Sequence, residues 1–305
     1  MPTEHCGANR KHPRPEGISV VIPVRNNIAT IDVQLQALAR QDFDGSFEVV
    51  VVDNDSTDGI SSFIASHSLR ETLKLRCVSA SSVPGECHAR NIGIAAAVHS
   101  FIACCDADDA VSEGWLTALQ AEATRYDVIG GPLEKVTLND PIVAAWRDVY
   151  EFGGLPTCGN FLPFAQGCNT GFWKSAWDAI EGFDETLIAG GGDIEFCWRA
   201  QLAGFAIGYA PDALVAYRFR TNIRQSWHQV VTYGRGQAAV VARYRNNGAS
   251  RNSLPYLCGW IGHILLTMPV FPWSWNRSRL GAWVWSTGGL WGCISGGARQ
   301  RFLYF

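Results

Sequence analysis

Phe101-Ile102-Ala103-Cys104-Cys105-Asp106-Ala107-Asp108-Asp109 runs five apolar or small residues straight into three carboxylates. The apolar half predicts a buried strand of a parallel sheet, because such strands are covered on both faces. The acids then fall at the strand's carboxyl end, where open α/β sheets bind their ligands. Carboxylates this close repel one another unless a cation or another partner neutralises them. Oxygen ligands at D-x-D spacing suit a hard divalent ion, Mg2+ or Mn2+. A plain strand-to-helix turn, with Asp109 or Ser112 as N-cap, fits the same nine residues. The surrounding chain has to decide between the two.

Upstream, the apolar run Ile18 to Val24 predicts a first strand, closed by Pro23 and Asn26. Ile28, Ile31, Leu35 and Leu38 carry helical spacing over Ile28 to Arg40. Phe47 to Val52 and Leu73 to Val78 predict two more strands, and Gly85 to Val98 a helix before the opening stretch. Downstream come a helix from Ser112 to Thr124, a strand over Val128 to Val136, and an aromatic, glycine-rich wall from Asp148 to Gly171. Helices follow at Lys174 to Ile180 and Asp193 to Ala203, a strand at Phe205 to Tyr209, and a long helix at Asn222 to Tyr244. Strands alternating with helices predict βαβ units and a mostly parallel sheet.

Composition narrows the function. Hydrophobic residues make up 47% of the 305, enough for a sizeable core. Ten cysteines form no C-x-x-C pair, and Met1 to Gly17 is a polar extension without an apolar leader. Both point to a reducing cytoplasm with free thiols. The net charge of -3 hides an asymmetry: beyond Asp212 there are eleven Arg and no Lys, Asp or Glu. The acidic front argues against nucleic acid as a partner. Six of the twelve Trp lie from Trp260 onward, and Arg with Trp beside apolar residues is a membrane-interface pattern. Tyr256 to Phe271 is short for a bilayer, and Leu280 to Ala298, near the ~20 residues of a span, holds six glycines. Interfacial helices on an anionic membrane surface are the first expectation. A membrane hairpin is second, and a tail folded on the core third.

The first strand ends in Pro23-Val24-Arg25-Asn26-Asn27, with neither G-x-G-x-x-G nor a Walker G-K-[ST]. A nucleotide held here is not cradled by glycines. Asp53-Asn54-Asp55-Ser56-Thr57-Asp58 closes the second strand and offers groups for a base edge and ribose hydroxyls; it also reads as an Asx-turn and helix cap. Asp58 fits the cap, while Asp53 and Asn54 share the sheet edge of Asp106 and Asp108.

Ser19-Val20-Val21-Ile22-Pro23, then Val51-Val52-Asp53-Asn54-Asp55-Ser56-Thr57-Asp58, Ala89-Arg90-Asn91-Ile92-Gly93-Ile94 and Asp106-Ala107-Asp108-Asp109 follow in that order. Gly167-Cys168-Asn169-Thr170-Gly171-Phe172, Gly182-Phe183-Asp184-Glu185 and Gly192-Asp193-Ile194-Glu195 continue the series. The series resembles the inverting family 2 glycosyltransferases of the GT-A fold, from about Ile18 to Tyr244. The resemblance implies a Rossmann-like, mostly parallel sheet flanked by helices, with a helical, Trp-rich, membrane-associated tail added here. It divides the chain into an extension at 1–17, a transferase domain at 18–245 and a basic apolar tail at 246–305. Within the domain, 18–125 is the nucleotide-sugar half and 126–245 the acceptor half.

The resemblance also implies roles. Pro23, Arg25, Asp53, Asn54 and Arg90 match positions around the nucleotide. Asp106 and Asp108 match the pair that meets ribose and the metal-diphosphate, with Asp109 a third possible ligand of Mg2+ or Mn2+. Asp193 matches the general base for the acceptor hydroxyl. The implied partners are a nucleotide-sugar donor and a glycan or lipid-linked acceptor at the inner face of the cell membrane. Two positions depart: Gly192 stands where relatives carry Glu before the base, and Tyr217 where many carry a metal-side His. Gln-x-x-Arg-Trp of processive relatives is absent, which favours addition of a single sugar. Phe152, Phe161, Phe164, Phe172, Trp173 and Trp177 fit either a sugar platform or core packing. Every implied site residue precedes the tail, so its removal is expected to spare transfer to a soluble acceptor. The rivals are a membrane-attached scaffold without activity and a sugar-phosphate nucleotidylyltransferase. The latter would need a glycine-rich basic loop after strand one.

Overall fold

The structure is a computed structural model that describes residues 12–149, 153–188, 190–268 and 276–305. The first half alternates as its apolar periodicity requires: β1 (Gly17–Val24), α1 (Ile31–Ala39), β2 (Ser46–Asp53), α2 (Ile60–Ala65), β3 (Arg76–Ser79), α3 (Glu86–Ala96) and β4 (Phe101–Cys105). Then come β5 (Ala110–Val111), α4 (Trp115–Glu122), β6 (Val128–Gly130), β7 (Leu133–Glu134) and α5 (Pro141–Ala144). The second half holds β8 (Asn169–Trp173), α6 (Lys174–Ala179), α7 (Gly192–Leu202), β9 (Ile207–Tyr209), β10 (Val215–Ala216) and α8 (Ile223–Tyr244), followed by α9 (Leu254–Thr267) and α10 (Arg277–Arg299).

Seven strands form the main sheet in the order β3-β2-β1-β4-β8-β6-β9. All pairings are parallel except those of β8, which runs antiparallel to both β4 and β6. Successive residues of the central strands serve opposite cores. Val20, Ile22, Phe101, Ala103 and Cys105 face one layer, and Val21, Ile102 and Cys104 face the other. Both layers are closed, which is why β4 has no polar alternation. The strand therefore stays buried up to Cys105 and releases its acids only at the edge.

Two expectations change. The single strand over Val128 to Val136 splits at Gly130-Gly131-Pro132, where a Cβ on Gly131 would sit 2.1 Å from the Ala213 carbonyl oxygen. The wall from Asp148 to Gly171 ends in a strand, because β8 starts at Asn169. Its polar start is buried at no cost in unmet hydrogen bonds. The Asn169 amide bonds Trp115 and the carbonyls of Pro132 and Ala213 at 2.8 Å each, and Thr170 donates to the Ile129 carbonyl.

The tail divides into two behaviours. α10 buries Gly281, Val284, Gly288, Gly289, Gly292, Cys293, Gly296 and Gly297 along one face, which lies on α8. A Cβ on Gly234 of α8 would stand 2.8 Å from the Gly289 carbonyl, so backbone meets backbone there. α9 buries none of its residues, and Leu265 and Leu266 are 64% and 89% exposed. Among the described residues no helix is long and apolar enough to cross a membrane. Trp273 and Trp275, together with Pro269 to Pro272, lie outside the described residues, as do residues 1–11 of the extension and Phe152.

Candidate active site

β4 delivers Asp106, Asp108 and Asp109 to one edge, but in three different settings. Asp106 is half-buried, with Oδ1 3.4 Å from Arg90 Nη2. Burial and then the Glu86 carboxylate push its carboxyl up to about 7, against Arg90. Asp108 is engaged: Arg220 donates to its Oδ2 at 2.6 Å, and Arg218 Nε to its carbonyl at 2.7 Å. Asp109 is fully buried. Its Oδ1 accepts the Arg218 backbone N–H at 2.8 Å, and its Oδ2 is buried without a hydrogen-bond partner. Burial and the neighbouring Asp106 and Asp108 push it well above the usual carboxylate range.

That orphaned oxygen is the test for a metal. One ligating atom each from Asp106, Asp109 and Cys168 lie within 4.8 Å of one another. Two carboxylates fit a hard divalent ion. The Cys168 thiol is pushed well above its ordinary value by burial, and its soft sulfur suits Mg2+ or Mn2+ less than the two carboxylates do. The structure thus brings Asp106 and Asp109 together and places Asp108 on Arg220.

The nucleoside-side residues divide likewise. Arg25 is exposed, with no hydrogen bond or ion pair among the described residues, and Pro23 lines the same strand end. Asp53 accepts the Ser56 N–H at 2.9 Å and the Ser61 hydroxyl at 2.8 Å, closing its own turn. Asn54 is buried. Its amide donates to the carbonyls of Ala80 and Val83 and accepts the Gly85 N–H, so it shapes the loop ahead of α3. Asp58 takes the N–H groups of Ile28 and Ile60 and ties the first two loops together. Arg90, buried on α3, pairs with Glu86 and Asp106 and lies 5.7 Å from the Phe183 ring centroid. Burial disfavours its charge, but the two carboxylates outweigh that.

Asp193 sits on the first turn of α7. Its Oδ2 accepts the Gly167 N–H at 3.2 Å and its Oδ1 the Ile194 N–H at 2.9 Å. Burial holds its carboxyl above the ordinary value, with Arg90 and these donors opposing. Glu195 is not available for chemistry: it takes Arg199 at two oxygens, 2.8 Å each, and the Tyr244 hydroxyl at 2.7 Å. Gly192, where the resemblance implies Glu, has a packing reason. A Cβ there would stand 2.3 Å from Cys87 Sγ. Tyr217 is buried beside Tyr233, 3.1 Å between hydroxyls, and burial keeps its phenol neutral.

Asp106, Arg90 and Asp193 line one cavity of about 540 Å³. Its far wall comes from the tail, through Trp260, Trp285 and Gly289. Sequence reasoning placed every site residue before the tail; the apolar faces of α9 and α10 gave no signal for which side meets the site. Of the aromatic set, Phe164 lines the cavity, Phe172 and Trp173 are core, and Phe161 and Trp177 pack against it. Arg218 and Arg220 also went unassigned, though they follow β10 directly in an acid-free stretch.

A model of "Glycosyl transferase family 2" matches residues 19–180, and one of "Glycosyl transferase family group 2" matches residues 101–295. The chain belongs to glycosyl transferase family 2. Among curated relatives, the Pre-mycofactocin glycosyltransferase of Mycobacterium tuberculosis is 27% identical over 78% of this chain and 52% of its own length. Glycosyltransferase AglE of Haloferax volcanii is 28% identical over 65% of each protein. The chain thus spans about half to two thirds of these family 2 relatives. Mannosyltransferase PcManGT from Pyrobaculum calidifontis, solved with GDP-Man and Mn2+, shares the fold with a TM-score of 0.58 and 19% identity, over 93% of this chain and 89% of that one. S. aureus TarS 1-349, solved with UDP-GlcNAc, gives 0.53 and 19% over 95% and 93%. The mixed sheet flanked by helices is therefore the GT-A type of family 2.

Proposed function

We propose that the chain moves a single sugar from a nucleoside-diphosphate sugar to an acceptor hydroxyl, with inversion. The observation that carries this reading is the shared cavity of Asp106 and Asp193. Arg25, with its exposed guanidinium, and the Asp53 turn form the nucleoside end, on a loop shaped by Asn54. Asp193 takes the acceptor proton as the acceptor oxygen bonds to the anomeric carbon. The bond from that carbon to the diphosphate oxygen breaks on the opposite face, so configuration inverts. Burial raises the basicity of Asp193, and the Gly167 N–H fixes its direction, which is the positioning that base catalysis requires. A divalent ion held by Asp106 and Asp109, with Asp108 steadied by Arg220 beside them, would supply charge stabilisation for the leaving diphosphate. The Mn2+ and GDP-Man of the mannosyltransferase of like fold support a metal and a nucleotide-sugar here.

The acceptor is a lipid-linked or cell-envelope glycan intermediate, taken up at the cytoplasmic face of an anionic membrane. Two features support this. Tail residues Trp260 and Trp285 line the cavity, and α9 carries its apolar Leu254, Tyr256, Ile261, Leu265 and Leu266 outward near the exposed Arg251 and Arg279. Arg among lipid phosphates and apolar side chains at the headgroup boundary is the interfacial arrangement. Thermal shifts with UDP, GDP, dTDP and their sugars, each with and without Mn2+, test the donor. The reading expects a metal-dependent rise for one nucleoside diphosphate and its sugar; no rise with any of them contradicts it.

A further inference from the structure

Arg147, in the loop after α5, is held in a cage of three rings. Its guanidinium carbon lies 4.1 Å from the Trp285 ring centroid, 4.3 Å from Phe219 and 5.0 Å from Tyr217. The side chain lines the cavity of Asp106 and Asp193, and its Nη2 is buried without a hydrogen-bond partner. The acids nearby are taken by others. Asp106 faces Arg90, Asp108 faces Arg220, and the exposed Asp148 pairs with Lys135 at 2.5 Å. Among the described residues Arg147 has no ion pair. A half-buried cation with one donor sealed from water and unpaired is costly, and stacking on rings recovers only part of that cost. A planar fork held among three rings at the wall of a cavity suits an anion of several oxygens.

We propose that Arg147 binds the donor's diphosphate and carries its charge as the sugar leaves. The proposal rests on the donor reading above. Its location chooses the diphosphate over an acceptor group: Arg147 lines the same cavity as Asp106, a candidate metal ligand, and stacks on Tyr217. The neutral Tyr217 phenol offers no charge to phosphate. Arg147 supplies that charge, and Trp285 of α10 holds Arg147 in place. The Arg147 guanidinium donates to a phosphoryl oxygen, and no proton is transferred. In this arrangement the tail supports the chemistry directly, through one ring of the cage.

The test is calorimetric binding of UDP, GDP, UMP and GMP, with Mn2+, to the full chain and to Arg147→Gln and Arg147→Lys. Hydrogen bonds to charged groups predict a loss of roughly 10- to 100-fold in diphosphate affinity for Arg147→Gln. Monophosphate affinity should change by less than about 2-fold, because the lost contact is to the terminal phosphate. Arg147→Lys keeps the charge without the fork and should fall between. A fold defect would weaken both nucleotide classes alike, and that result overturns the assignment. So does an Arg147→Gln protein that keeps wild-type diphosphate affinity. If wild type binds no nucleoside diphosphate, the donor reading itself fails.

Discussion

Gly236 of α8 lies so close to Gly190 that a Cβ on Gly236 would stand 2.4 Å from the Gly190 carbonyl carbon. Two residues earlier on the same helix, Gly234 meets the backbone of α10. One short Gly-Arg-Gly stretch therefore holds the turn that presents Asp193 on one side and the tail on the other. Gly236→Ala should overpack this contact at a cost of about 1–3 kcal/mol, and shift the Gly190 to Gly192 turn. A lowered melting temperature together with a fall in kcat is expected. An unchanged kcat would show that Asp193 does not depend on this contact.

Asp193 and Glu195 separate cleanly in what they do. Asp193→Asn should leave nucleotide affinity intact and reduce kcat by ~10²–10⁴-fold, the usual loss for one general base. Glu195→Gln removes the anion from Arg199 and Tyr244 and should cost stability of about 1–3 kcal/mol instead. Melting curves and single-turnover rates on both variants distinguish the roles. A Glu195→Gln enzyme as stable as wild type but without turnover would exchange them.

The pH profile follows from the burial of Asp193. Its folded carboxyl titrates above the ordinary value of 3.8, so kcat/KM should rise with pH through that higher value, as the base ionises. Stability runs the other way. A carboxyl whose folded pKa is raised contributes stability below its unfolded value, and that contribution fades as pH rises through the folded one. Activity and this share of stability should therefore change in opposite directions over the same pH window. Asp193→Asn should lack the rising limb, and a variant that keeps it places the titrating base elsewhere.

Asp109→Asn tests the metal pair. The amide oxygen can still accept the Arg218 N–H, while an NH2 group that cannot ligate a cation replaces the orphaned oxygen. Nucleoside-diphosphate binding should become indifferent to Mn2+. A wild-type metal effect in this variant would exclude Asp109 as a ligand.

Removing the tail should do more than release a membrane. A chain ending at Asn252 loses Trp260 and Trp285 from the cavity wall and bares the glycine face of α8. Transfer to a soluble acceptor should fall with truncation, contrary to what site residues placed only before the tail imply. Leu265→Asp with Leu266→Asp leaves the cavity and should cost only vesicle binding. Flotation with anionic vesicles at low and high salt, beside turnover of a soluble acceptor, separates the two effects. Full vesicle binding by the double variant would remove α9 as the contact.

Much of the fold is legible in the sequence itself. The switch from Cys105 to Asp106 marks the sheet edge because burial ends and charge begins at one residue. β8 was hidden because Asn169, Thr170 and Gly171 have turn chemistry. Only distant partners, Trp115 among them, make a buried Asn169 acceptable in a strand. The engagement of Asn54 with Ala80 and Val83, and of Asp108 with Arg220, depends on contacts far along the chain. No local pattern distinguishes them from ligand-binding residues. The glycines of α10 read as a poor membrane span, and that reading left open that they are the contact surface for α8.

Sugar transfer with Asp193 as the base is the step on which the other roles depend. Its most direct measurement is release of nucleoside diphosphate from a panel of UDP-, GDP- and dTDP-sugars by the full chain. The assay is run with and without Mn2+, with wild type beside Asp193→Asn. The expected result is Mn2+-stimulated release from one donor that an acceptor hydroxyl accelerates, and loss of that acceleration in Asp193→Asn at unchanged donor affinity. Equal acceptor-stimulated release by wild type and Asp193→Asn would contradict it.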